Sequence, residues 1–293
     1  MPTLKEIRNR IDSTKNTQQI TRALKLVSAA KLRRAQNNIV NMRPYALTMK
    51  RVIADIATTQ KVSHPLMEPQ HEIKKVLLVV VTSDRGLAGA FNSNINKFTE
   101  AYWKEQRTKL EKVDFFFIGR RGADFFKKRG VQPVESMIRL DKDISYDLAA
   151  HVADKLLKTY LAGNYDEIRM VYNEFKSAIS QNVVAETLLP IDLSSSSFPK
   201  NPTATDFAAD MIFEPEIGQI IEQLLVKHFD LQVYRVMSES VAAEHGARMT
   251  AMENSSNNAK AMIESLTLTY NKLRQEKITK ELIEIVSGAE ALA

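Results

Sequence analysis

The residues best placed to do chemistry in this chain of 293 stand just after an apolar run, at Ser83-Asp84-Arg85-Gly86-Leu87-Ala88-Gly89. A serine beside an aspartate offers a hydroxyl and a carboxylate. A glycine-bearing turn ahead of a helix is where backbone N–H groups cradle a phosphate. Neither chemistry is completed by its surroundings. Gly86-Leu87-Ala88-Gly89 lacks the lysine and the spacing of a G-x-x-x-x-G-K-S/T loop, and no G-x-G-x-x-G follows a strand. It reads as a tight turn that glycine permits. The five histidines, at 64, 71, 151, 228 and 245, are scattered and none is near Ser83 in sequence. Folding can assemble a triad from distant residues, but Ser-Asp at a strand end more often caps a helix or a turn. His228 and His245 have no second ligand three or four residues away, which favours polar positions that fix register over zinc ligands. With no cysteine in the chain, disulfides, zinc–thiolate sites and thiol nucleophiles are excluded.

A second chemistry is electrostatic. Lys5, Arg8, Arg10, Lys15, Arg22, Lys25, Lys31, Arg33 and Arg34 make the first sixty residues strongly basic, with 12 cations against 3 anions. Residues 206–293 carry 8 cations and 14 anions, and the net charge is +6. The basic stretch is a solvated face, a nucleic-acid surface or a track for an acidic protein. No aromatic residue lies within 1–44, so stacking on bases is unsupported.

The elements that carry these residues follow from periodicity. Leu32, Ala35, Ile39, Met42, Ala46, Met49, Ile53 and Ile56 are spaced alternately by three and four, the 3.5-residue seam of a coiled coil. Carried backward, the register meets Ser28, Lys25, Thr21, Gln18 and Thr14 before Ile11, Ile7 and Leu4. The apolar side there moves to Ile20, Leu24, Val27 and Ala30, which predicts a long helix whose buried face rotates, with Pro44 favouring a bend. A second long helix is expected over about 211–293, on the register Ile217, Ile221, Leu224, His228, Leu231, Arg235 and onward to Leu273. It reaches roughly 110 Å against roughly 80 Å for the first, so the two arms should pair and the longer should overhang.

The middle differs. Val76–Thr82, Val113–Ile118, Glu167–Phe175 and Val184–Ile191 read as strands. Asn92–Lys109, Ala123–Lys128 and Tyr146–Leu161 read as helices. His64–Pro69 and Leu193–Asp206 are the linkers. The expected organisation is an N-terminal coiled-coil helix (1–60), a small Rossmann-like α/β domain (70–205) and a C-terminal coiled-coil helix (208–293), with the two long helices antiparallel. The longest apolar run, Val76–Val81, is far short of a bilayer span of about twenty residues. The basic start enters a periodic helix at once and reads as structure, not as a targeting segment.

Both ends resemble the gamma subunit of F-type ATP synthase. Ile278-Thr279-Lys280-Glu281-Leu282-Ile283-Glu284-Ile285-Val286-Ser287-Gly288-Ala289 is similar to that family's I-T-x-E-x-x-E-x-x-x-G-A. Glu244-His245-Gly246-Ala247-Arg248-Met249-Thr250-Ala251-Met252 resembles its E-x-x-A-R-M-x-A-M. Asn16-Thr17-Gln18-Gln19-Ile20-Thr21-Arg22-Ala23, Arg43-Pro44-Tyr45 and Ser83-Asp84-Arg85-Gly86-Leu87 also match, in the same order. The chain departs from the family at Ala88, often a cysteine there, and has no inserted cysteine pair, so thiol control is not expected. The start, with no transit segment before it, suggests a bacterial member.

The resemblance implies a central rotor shaft with no catalytic site and no cofactor or metal of its own. Its partners would be the alpha3-beta3 hexamer, the epsilon subunit and the c-subunit ring, at the cytoplasmic face of a bacterial inner membrane. It assigns Arg274, Gln275, Thr279 and Glu281 to contact with a beta subunit, and Arg85 and Arg248 to the acidic levers of beta. Lys25, Arg33 and Arg34 join those levers on charge alone. Leu24, Leu282, Ile285 and Val286 fall in the bearing, and Phe213-Glu214 in the foot that meets the c ring. Three alternatives make different demands: an enzyme on the α/β domain should turn over a ligand, a nucleic-acid binder should be salt-sensitive, and a generic coiled coil should self-associate.

Overall fold

A computed structural model describes residues 3–60, 64–67, 72–138, 144–178, 180–192, 214 and 216–290. The elements in chain order are α1 (Leu4–Gln60), β1 (Lys75–Val81), α2 (Phe91–Gln106), β2 (Lys112–Ile118), α3 (Arg120–Lys127), β3 (Glu135–Met137), α4 (Tyr146–Leu161), β4 (Glu167–Phe175), β5 (Gln181–Leu189) and α5 (Ile217–Glu290). The chain divides into two compact units, Met1–Ala29 with Arg248–Ala293, and Ala30–Ala247.

The larger unit is built on a five-stranded sheet of order β3-β2-β1-β4-β5. β1 pairs in parallel with β2 and β4, β2 pairs in parallel with β3, and β5 runs antiparallel to β4. The central strand is apolar along its length because both of its faces are covered. Leu77, Val79 and Val81 join Ile168, Met170, α4, the C-terminal part of α1 and the first part of α5 in one core. Val76, Leu78 and Val80 join Phe115, Phe117, α2 and α3 in the other. β3 was not expected from the sequence: three residues at a sheet edge leave no periodicity to read. The linker expected at Leu193–Asp206 lies outside the described residues.

α1 opens on a capping box, in which the Thr3 N–H donates to Glu6 Oε2 at 2.9 Å and the Glu6 N–H to Thr3 Oγ1 at 3.3 Å. The helix runs unbroken through Pro44. Within the smaller unit, the Thr14 hydroxyl meets Met262 Sδ at 4.0 Å and Lys25 Nζ meets Glu253 Oε1 at 2.7 Å. Residue numbers on the two helical segments therefore run in opposite senses.

The expected rotation of the α1 face does not occur. Ile7, Ile11, Thr21 and Ser28 are buried, with Ser28 only 2% exposed, whereas Ile20 and Val27 are 60% and 54% exposed. The original register is kept through its polar stretch. Small side chains let the buried face continue where hydrophobicity lapses, and the Thr14 and Thr21 hydroxyls donate to the carbonyls of Arg10 and Gln18, so neither is left unsatisfied. On α5, Met252 and Ala259 are buried and Ile263, Leu266, Tyr270 and Leu273 half-buried, as the register predicts. Between His228 and Ala243, by contrast, no residue of α5 is exposed, so no single stripe describes it.

Candidate functional site

The loop after β1 can now be read atom by atom. Ser83 does not meet a histidine: its N–H donates to Asn92 Oδ1 at 3.0 Å, and its hydroxyl to the Arg85 carbonyl at 2.5 Å. The N-terminus of α3, by contrast, is tied down by the chain itself. The Arg120 N–H donates to Asp84 Oδ1, the Arg121 N–H to the Ser83 carbonyl and the Gly122 N–H to Thr82 Oγ1, all within 3.0 Å. Two glycines allow this closeness. A Cβ on Gly119, whose φ is +97°, would lie 2.0 Å from the Thr82 carbonyl oxygen, and one on Gly122 would lie 3.0 Å from Thr82 Oγ1. Ser83 and Asp84 thus act as a helix anchor, as their place at a strand end suggested.

Beside this anchor lies a groove of about 780 Å³ lined by Arg85, Arg120, Lys127, Val131, Pro133 and Ile138 among others. Arg85 is exposed there, and Leu87 next to it is 67% exposed at a φ of 62°. Arg120 and Lys127 were not singled out from the sequence, since only the pairing of β1 with β2 brings them beside Arg85.

The expected contact residues fall in separate places. Arg274, Gln275, Thr279, Glu281, Leu282, Ile285 and Val286 share the last turns of α5, where every residue from Arg274 to Ala289 is exposed. Leu282, Ile285 and Val286 are 57%, 68% and 62% exposed, with Ile278 and Ile283 beside them. The ion pairs of this stretch, Lys277–Glu281 at 3.5 Å and Lys280–Glu284 at 3.7 Å, stay within the helix. Exposed apolar residues grouped in this way mark an interaction surface.

Lys25 is half-buried and engaged with Glu253, while Leu24 and Arg248 of the same unit are half-buried. Arg33 and Arg34 are exposed in the larger unit, Arg34 against a small cleft with Lys31, Asn38, Ser238 and His245. Glu214 is exposed, and Phe213 lies outside the described residues.

A half-buried polar cluster in the larger unit went unpredicted. Arg235 of α5 donates from Nη2 to Glu186 Oε1 at 2.6 Å, from Nη1 to the Tyr172 hydroxyl at 3.1 Å and to Glu239 Oε1 at 3.3 Å, and from Nε to Gln232 Oε1 at 2.8 Å. The Tyr172 hydroxyl donates in turn to Glu186 Oε2 at 2.7 Å. Burial works against the Arg235 charge, but Tyr172 and Glu186 overcome it and hold its pKa above the usual value. Burial would lift the Glu186 carboxyl, and the Arg235 guanidinium outweighs it and holds that pKa down. Burial raises Glu239, whose Oε2 has no hydrogen-bond partner among the described residues. His228, 3% exposed, is pushed down to about 4 by burial and by the charges of Lys50 and Arg235. The charges that face it come from α1 and from α5 itself. The signal was present: Arg235 and His228 interrupt an otherwise apolar register. No group of three potential metal ligands forms among the described residues.

Comparison with known proteins adds a separate line of observation. A family model described as ATP synthase matches residues 3–292. The ATP synthase gamma chain of Bdellovibrio bacteriovorus is 70% identical over 293 residues, covering 100% of this chain and 99% of that one. The ATP synthase gamma chain of Anaeromyxobacter sp. (strain K) is 45% identical, with 100% of both chains covered. Among solved structures, a chain from the central stalk and c ring of Tetrahymena thermophila mitochondrial ATP synthase superposes with a TM-score of 0.62 at 25% identity, covering 81% of this chain and 99% of that one. A chain of the Euglena gracilis mitochondrial ATP synthase rotor shares the fold with a TM-score of 0.65 at 22% identity, over 94% and 98% of the two chains.

Proposed function

The chain belongs to the gamma-chain family of ATP synthase, and we propose from that premise that it is the rotating shaft coupling a membrane c ring to three catalytic beta subunits. The observation that carries this reading is the free end of α5. Every residue from Arg274 to Ala289 is exposed, and Ile278, Leu282, Ile283, Ile285 and Val286 all face solvent. A helix end this apolar needs a sleeve. An apolar sleeve centres it without directional bonds, so it turns in place. Arg274, Gln275, Thr279 and Glu281 of the same turns supply contacts to a beta subunit.

The lower shaft is an antiparallel coiled coil. The opposite sense of the Thr14–Met262 and Lys25–Glu253 contacts supports this, as does the 3.5-residue burial pattern. The α/β unit is Rossmann-like in strand order, but its first strand-to-helix turn, Gly86-Leu87-Ala88-Gly89, lacks the lysine and the spacing of a phosphate loop, which is consistent with a shaft that leaves catalysis to other subunits. Arg85, Arg248, Arg33 and Arg34 offer positive charge to acidic levers of the beta subunits. Lys25, which pairs with Glu253, belongs to the same set. Many weak, spread charges suit a bearing better than one deep well.

The alpha3-beta3 hexamer encloses the upper shaft, while the epsilon subunit and the c ring meet the foot near Phe213 and Glu214. The chain is then peripheral on the cytoplasmic face of a bacterial inner membrane. No helix among the described residues is long and apolar enough to cross a membrane. Native mass measurement of the complex purified from membranes tests the reading. One copy with three each of two nucleotide-binding subunits is expected. A lone or self-paired chain overturns it.

A further inference from the structure

The half-buried cluster at Arg235 is placed where torque has to pass, if the chain is the shaft described above, and the inference rests on that reading. Within the larger unit, the first part of α5 packs on the sheet through Leu225, Phe229, Val233, Val236 and Met237, each fully buried. Apolar contact of this kind is non-directional. Close packing resists a roll through the repacking it would demand, but it names no single angle by a directional bond.

A guanidinium differs. It is planar, its donors point in fixed directions, and paired contacts to a carboxylate set orientation as well as distance. Arg235 reaches out of α5 to two strands at once: Glu186 on β5 and Tyr172 on β4. Tyr172 pairs with Val184 and Glu186 with Met170, so the two side chains are diagonal neighbours across the β4–β5 ladder. The Tyr172–Glu186 hydrogen bond closes the ring, and Gln232 and Glu239, one turn to either side on α5, hold the guanidinium from behind. Such a ring is intact at one roll angle of α5 only.

We propose that Arg235, with Tyr172 and Glu186, is the rotational lock that fixes α5 to the α/β unit, and hence a positioning residue for coupling. α5 is a single helix from Ile217 to Glu290.

The test uses the assembled enzyme in inverted membrane vesicles, with Arg235→Met, which keeps the stem and removes the fork, and Tyr172→Phe, which removes one hydroxyl. ATP hydrolysis, ATP-driven proton uptake and the thermal midpoint of the complex are measured together. Arg235→Met should leave hydrolysis within about twofold of the parent while proton uptake per ATP falls severalfold. Tyr172→Phe should move the same ratio less, in the same direction. Met237→Ala is the control: it opens a cavity in the same core, lowers the thermal midpoint and should leave the ratio unchanged. An unchanged ratio in Arg235→Met overturns the lock. So does a ratio that falls equally in Met237→Ala. If Arg235→Met does not assemble, Tyr172→Phe decides alone, and an unchanged ratio there overturns it. A parent enzyme whose hydrolysis drives no proton uptake would instead refute the shaft reading, a separate failure.

Discussion

Changing Val27 and Ser28 one at a time separates the buried face that hydrophobicity suggests from the one the helices adopt. Val27→Ser removes an apolar side chain that is 54% exposed, so about half of its burial energy is at stake, less than about 1 kcal/mol. Ser28→Val adds bulk at a site only 2% exposed, where overpacking costs about 1–3 kcal/mol. Serine and valine have nearly the same helix propensity, so the backbone term cancels. Hydrogen exchange of the amides between Thr14 and Ser28 in the full chain reads the local stability. Protection should fall roughly 5- to 150-fold in Ser28→Val and change by less than about fivefold in Val27→Ser. A larger loss in Val27→Ser than in Ser28→Val would refute the straight register and restore a rotated face.

Four further outcomes follow from the geometry. Gly119→Ala forces a Cβ to within 2.0 Å of the Thr82 carbonyl oxygen at a φ of +97° and should cost more than about 3 kcal/mol in denaturant unfolding. Gly163→Ala, at a φ of +73° in open space, should cost about 1 kcal/mol. The folded pKa of His228, about 4, lies below its unfolded value, so the unfolded chain takes up the proton first as pH falls. The resulting stability is whole above about pH 6.5 and is lost toward pH 4, about 3 kcal/mol in all. Glu239 and Asp230, raised by burial, oppose this slope, and the difference between parent and His228→Leu midpoints from pH 7.5 to 5 isolates the histidine. Neutralising Arg274 or Glu281, both exposed, should leave the unfolding midpoint within about 0.5 kcal/mol while reducing proton uptake per ATP in the assembled enzyme only in part.

The strands were legible because burial on both faces leaves continuous apolar runs such as Val76–Val81 and Phe115–Ile118. β3 was not, because Glu135-Ser136-Met137 is too short and too polar to carry a period. On α1 the register from Leu32 to Ile56 was readable from hydrophobicity alone. From Thr14 to Ser28 the buried face is made of small and polar residues while Ile20 and Val27 point outward, and hydrophobicity then reports the outer face. On α5 the stripe holds from Met249 to Leu273, where one side is covered, and fails from His228 to Ala243, where no residue is exposed. Ser83-Asp84 was read as a turn or helix cap; Asp84 accepts from the first N–H of α3, a helix from elsewhere in the chain whose pairing with this turn was not foreseen. The Arg235 cluster needs Tyr172 and Glu186 from two strands, and no local pattern announces a contact made across a sheet.

The central claim is rotation, and the absence of cysteine makes it directly measurable. Leu161→Cys, at the exposed end of α4, gives a unique thiol for a rotation probe on the α/β unit. With the alpha3-beta3 head fixed to a surface and ATP supplied, the probe should turn in one direction with three pauses per revolution. A probe that stays at one angle while ATP is hydrolysed at the normal rate would contradict the account.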